Sequence, residues 1–182
     1  MKKLFTFIFL VFVLQSYECN SQKSETQSDD IEIYNEKYQL ENEKLIFAFQ
    51  TKNRKIATIC MDKKEEYIVY RFGTSEKIEM EYPENKDKSS FDKFEYSGWM
   101  RGGGIKNSGM QLDYLVFSVN NFKYIIYNTY FAVDDKSNIG IKVLDTQTNQ
   151  TIDIKGIYGT RKGTLTDFQS DDRIKKGEEL YD

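Results

Sequence analysis

QLDYLVFSVNNFKYIIYNTYFAV, residues 111–133, is the stretch that decides the fold. Two runs of β-branched and aromatic residues, 111–119 and 122–133, flank the pair Asn120-Asn121. Asparagine tolerates the left-handed backbone of a two-residue hairpin turn, so the runs pair as antiparallel neighbours. Both runs read as apolar on both sides. A strand covered on both faces belongs in the middle of a sheet, and this hairpin is therefore central.

Working outward, similar short runs punctuated by turn residues occur at 45–51, 55–62, 66–73, 77–82, 91–99, 138–145 and 151–158. Some alternate cleanly. Ile78, Met80 and Tyr82 lie opposite Lys77, Glu79 and Glu81, and Ile152 and Ile154 lie opposite Asp153 and Lys155, so these strands have one packed and one wet side. No link offers an amphipathic helix long enough for a parallel crossover. The pattern predicts an all-β fold, an antiparallel meander of about eight to nine strands. Because a flat sheet of that size leaves a face and two edges bare, it closes into a barrel or a sandwich.

The flanks differ in composition. Lys2 and Lys3 followed by the apolar run 4–14 read as an export signal over residues 1–19. That run is too short for a bilayer core, which needs roughly 20 residues. Lipoprotein signals carry a small residue just before the lipidated cysteine and an aliphatic one three before, where this chain has Glu18 and Ser16. Cleavage near Ser21 is therefore expected, with lipid attachment at Cys19 as the alternative. Residues 20–43 read as a polar tether, 44–160 as the β domain, and 161–182 as a polar tail, partly docked or frayed, with Leu165, Phe168 and Ile174 as its anchors.

Composition excludes more than it identifies. The chain has no histidine, which removes Ser-His and Cys-His nucleophiles and the commonest zinc ligand. Its net charge of −3 gives no electrostatic reason to bind nucleic acid. Glu79 and Glu81 share a wet strand face and read as solvated rather than as an acid/base pair. The turn Asp134-Asp135-Lys136-Ser137-Asn138 lacks the glycine and distal glutamate of a calcium loop, and Cys60 between Ile59 and Met61 reads as a core residue. No catalytic, metal or cofactor site is expected.

Two features could carry recognition. In Trp99-Met100-Arg101-Gly102-Gly103-Gly104 the glycines permit close approach to backbone N–H groups, and Arg101 offers a planar fork of donors. Arg71, in Tyr70-Arg71-Phe72-Gly73, is a second candidate for partner contact, although its place beside Tyr67 and Val69 favours an ion pair with Glu79 or Glu81. The partner-binding candidates are therefore Trp99, Arg101, Gly102, Gly103, Gly104 and Arg71.

The succession Ile59-Cys60, Tyr70-Arg71-Phe72-Gly73, Ile78-Glu79, Tyr82-Pro83 and Arg101-Gly102-Gly103-Gly104 resembles a family of small exported bacterial proteins of uncharacterised activity. The resemblance covers roughly residues 55–160 and implies export and a shared β-rich domain; it carries over no catalytic residue. The expected function is an exported binding or inhibitory module of the cell envelope that engages a protein partner. The alternative is a carrier with a small apolar ligand inside a β-barrel, and a histidine-free enzyme is third. The expected location is periplasmic or secreted, with a lipid-anchored envelope form as the alternative.

Overall fold

The computed structural model describes residues 37–181. The export signal, Cys19 and most of the 20–43 stretch lie outside these residues. Among the described residues no helix is long and apolar enough to cross a membrane.

The central hairpin is formed as expected. β6 (Met110–Val119) and β7 (Phe122–Phe131) pair in antiparallel register, with Val119 opposite Phe122 across the two-residue turn and Asn120 at a φ of 53°. β5 (Glu95–Arg101) lies beside β6, and β8 (Lys136–Asp145) and β9 (Thr151–Lys155) continue from β7. The preceding meander, β1 (Glu43–Gln50), β2 (Ile56–Asp62), β3 (Ile68–Gly73) and β4 (Ile78–Tyr82), makes a second antiparallel sheet. Two strands of two residues each come from the stretch read as a tail. β10 (Lys162–Gly163) pairs with β1, and β11 (Lys175–Lys176) runs parallel to β5. The sheets have five and six strands, ordered β10-β1-β2-β3-β4 and β11-β5-β6-β7-β8-β9.

The two sheets form a sandwich and do not close into a barrel. Phe117 on β6 joins them. Its ring lies 5.1 Å from that of Tyr70 and 4.5 Å from that of Tyr82 in the first sheet, and 5.5 and 4.9 Å from those of Phe94 and Tyr124 in the second. Leu165, Phe168 and Ile174 are buried in the same core. One strand starts later than its sequence suggests. Asp87 accepts a hydrogen bond from the Ser89 amide and opens a 3₁₀ turn over Lys88–Lys93, so β5 begins at Glu95.

The outer face of the first sheet is sealed by residues 37–42. The Tyr38 carbonyl accepts hydrogen bonds from Thr58 Oγ1, Cys60 Sγ and Arg71 Nη1, and the Tyr38 side chain is wholly buried. Beneath this segment Arg71, 1% exposed, donates Nη1 and Nη2 to the two Glu43 oxygens at 2.6 and 2.8 Å and Nε to Glu81 at 2.6 Å. Glu43 also accepts from the Leu40 amide and the Tyr67 hydroxyl, so its four lone-pair sites are filled. Burial pushes the Glu43 carboxyl up, but the hydrogen bonds from Arg71, Leu40 and Tyr67 outweigh it and hold the group below its ordinary value.

Removing one member of such a cluster leaves an uncompensated buried charge. Arg71→Met is expected to lower the unfolding free energy by about 3–5 kcal/mol, and the joint change Glu43→Leu with Arg71→Met by less. Urea denaturation checks both; a single variant as stable as the parent would refute the role given to the cluster. The folded state also resists protonation of Glu43 more than the unfolded state does. Its stabilisation is therefore complete above the ordinary value of 4.5 and is lost as pH falls below it. The urea midpoint should fall more steeply on acidification in the parent than in the joint replacement.

Candidate functional site

The six-stranded sheet buries one face against the first sheet and turns the other outward. Strand alternation places Glu95, Ser97, Trp99 and Arg101 of β5 on the outer face. Register then sets Trp99 opposite Leu112, Leu112 opposite Thr129 and Thr129 opposite Asn138. The neighbouring row runs from Arg101 through Met110 and Phe131 to Lys136. At about 4.8 Å per strand, each row spans roughly 14 Å. Leu112, Tyr114, Val116, Ile125 and Tyr127 form a separate apolar cluster on this face, with Met110, Phe131 and Tyr181 packed against it.

Residues 177–181 cross part of this cluster. The Gly177 amide donates to the Tyr96 carbonyl, and Ser97 Oγ donates to the Glu179 carbonyl. Lys123 Nζ reaches the Glu179 carboxylate at 2.8 Å and lies 4.9 Å from the Tyr181 ring centre. The Tyr181 ring stands edge-on to that of Tyr114 at 5.3 Å, and Lys142 Nζ donates to the Tyr181 carbonyl. Beside this segment lies an open groove of about 260 Å³, lined among others by Tyr114, Tyr127, Thr129, Phe131, Lys142 and Lys155.

The candidates Trp99, Arg101, Gly102, Gly103 and Gly104 come together at one end of this face. Trp99 is 42% exposed, and the Arg101 guanidinium stacks 5.3 Å from its ring centre. Met100, Ile105, Tyr130 and Val133 are exposed at the same end, where the Ala132 amide bonds to the Gly109 carbonyl and couples the β5–β6 and β7–β8 turns. The glycine loop is a folded turn rather than an open cradle. Gly103 and Gly104 have φ of 94° and 58°, Gly104 O accepts from the amides of Asn107 and Gly109, and Asn107 Nδ2 bonds to Gly102 O. Arg101 Nε donates to Ser108 O, and among the described residues its Nη groups carry no hydrogen bond.

Arg71 does not join this site. It lies in the other sheet with its donors committed to Glu43, Glu81 and Tyr38, and it offers no surface to a partner. The expected ion pair with Glu81 is formed. Glu79 instead meets Lys55 at 2.5 Å, and Glu81 is shared with Lys86, so neither carboxylate stands as a free acid or base. Burial pushes the Cys60 thiol up to about 12, which keeps it protonated and inert. A larger hollow of about 480 Å³ near Phe91 is lined by charged side chains, among them the pairs Arg173 with Glu65 and Lys88 with Glu66.

Sequence reasoning missed the 177–181 segment and the groove. The available signal was the even-numbered apolar set Leu112, Tyr114 and Val116: a central hairpin apolar on both sides needs a cover on each. Comparison with known proteins finds no matching family model, curated protein or solved structure.

If the Tyr181 ring covers Tyr114, Tyr181→Ala removes an aromatic pair contributing about 1 kcal/mol and lowers Tm by about 2–4 °C. Tyr114, wholly buried in the parent, becomes open to iodination, read by peptide mapping. An unchanged Tm with Tyr114 still unreactive would contradict this arrangement.

Proposed function

We propose that this chain is an exported binding or inhibitory module that engages a protein partner through the outer face of its six-stranded sheet. The observation that carries this reading is the exposed Trp99–Arg101 stack at the rim of an apolar face, with exposed Ile105 in the adjoining turn. Tryptophan and arginine dominate binding hot spots because they bury a large flat surface while retaining directed donors. Export rests on the basic and apolar start of the sequence.

The apolar-ligand alternative placed its ligand inside a barrel. The sandwich supplies no barrel interior, and its inter-sheet space holds packed rings such as Phe117, Tyr70 and Tyr82. The enzyme alternative has no observation in its favour.

Affinity capture from envelope extracts tests the module, using the parent and the Trp99→Ala/Arg101→Ala variant as paired baits. A photo-crosslinker at position 105, in the adjoining turn, identifies what touches the site. Because both side chains are at the surface, the variant should keep its Tm within about 2 °C, a surface change being worth roughly 0.5 kcal/mol or less. The expected result is a partner crosslinked at the loop end and lost by the variant. A partner retained equally by both baits, or no partner with either, would overturn the reading.

A further inference from the structure

We propose that the outer face, at the contacts residues 177–181 now fill and along the groove that continues from them, accepts an extended acidic protein segment carrying an aromatic side chain, with residues 177–181 as its intramolecular competitor. This is a refinement of the binding-module reading that names the partner's chemistry. The chain's own segment displays the mode of recognition. It places a carboxylate at Lys123, a carbonyl at Ser97, an aromatic ring against Tyr114 and a further carbonyl at Lys142. Lys142 also lines the groove, so the groove continues from the point that Tyr181 reaches.

Charge agrees with this occupant. Outward register positions on β5 to β9 carry Arg101, Lys123, Lys136, Lys142 and Lys155 against Glu95 and Asp153 alone. The Tyr127 hydroxyl further occupies Asp153. A chain of net charge −3 thus gathers cations on one face, which steers an acidic partner to it.

The resident segment is lightly held. Leu180 is 45% exposed, the Glu179 side chain 59% exposed, and β11 before them is only two residues long. An exposed ion pair of this kind adds little in water. A competitor that occupies the site most of the time raises the apparent Kd of an outside ligand in inverse proportion to the open fraction.

The test uses a fluorescent peptide of sequence 177–182, Gly-Glu-Glu-Leu-Tyr-Asp, and anisotropy with two full-length proteins: the parent and a variant carrying Glu179→Ala with Tyr181→Ala. The variant should bind the peptide at least about tenfold more tightly than the parent, a difference of about 1.4 kcal/mol. Affinity should fall with salt, and should be lost when Lys123→Ala and Lys142→Ala are added to the variant or when the peptide's glutamates become glutamine. Circular dichroism confirms that each protein is folded, and Glu179→Ala alone should give the same order of affinities with a smaller difference. Equal binding to parent and variant would overturn competition by 177–181. No binding to the folded variant would overturn the acidic-segment groove. If that peptide fails while a captured partner still depends on Trp99 and Arg101, the partner chemistry falls and the module stands; peptide binding with capture indifferent to Trp99 and Arg101 is the reverse case.

Discussion

A guanidinium enclosed in protein requires every one of its charges and donors to be answered, and Arg71 meets that demand by drawing three parts of the chain together. Glu81 comes from the adjacent strand, Glu43 from β1 two strands away, and the Tyr38 carbonyl from the segment ahead of β1. The same carbonyl takes Thr58 and Cys60, and Glu43 takes Tyr67 and Leu40. Residues 37–43 are thus fixed over the first sheet by polar contacts to β2 and β3. That face is closed, whereas the outer face of the other sheet keeps an open groove.

Inside the sandwich the constraint is one of volume. Phe117 touches rings from both sheets, with Tyr82 and Tyr124 stacked against it and Phe94 edge-on. Four rings around one leave no room for a ligand-sized interior, and their contacts explain why the sheets stack rather than curl together. The buried carboxylate of Asp113 follows the same rule of complete pairing. It accepts from Tyr96, Gln111 and Thr166, which ties β5 and β6 to the stretch after β10.

The parts of the fold legible in sequence are those set by local pattern. Asn120-Asn121 between two apolar runs specifies the central hairpin, and strand alternation puts Arg71 opposite Glu81. Glu43 was hidden because nothing local distinguishes a glutamate at the end of a polar run from one whose carboxylate is buried by a contact 28 residues away. Likewise Leu165, Phe168 and Ile174 stand out as apolar residues in a polar stretch, whereas the two-residue strands β10 and β11 have no periodicity to read. At the candidate site, Trp99 and Arg101 were legible as residue types. The glycine loop was legible only as flexible chain, since its folded turn depends on Asn107 and Gly109 bonding back to Gly102 and Gly104.

Both outer faces are crossed by a chain segment, yet the two covers differ in physical character. Over the first sheet the Arg71–Glu43 ion pair has side chains 0–1% exposed, so water cannot replace its contacts without stranding a charge. Over the second sheet the Lys123–Glu179 pair that holds 177–181 lies at the surface, where water substitutes for it readily, while the apolar surface beneath prefers to stay covered. A cover that is easily exchanged over a surface that resists exposure favours replacement by another chain rather than opening to solvent. The asymmetry makes the first sheet the scaffold and leaves the second sheet as the face on which exchange can occur.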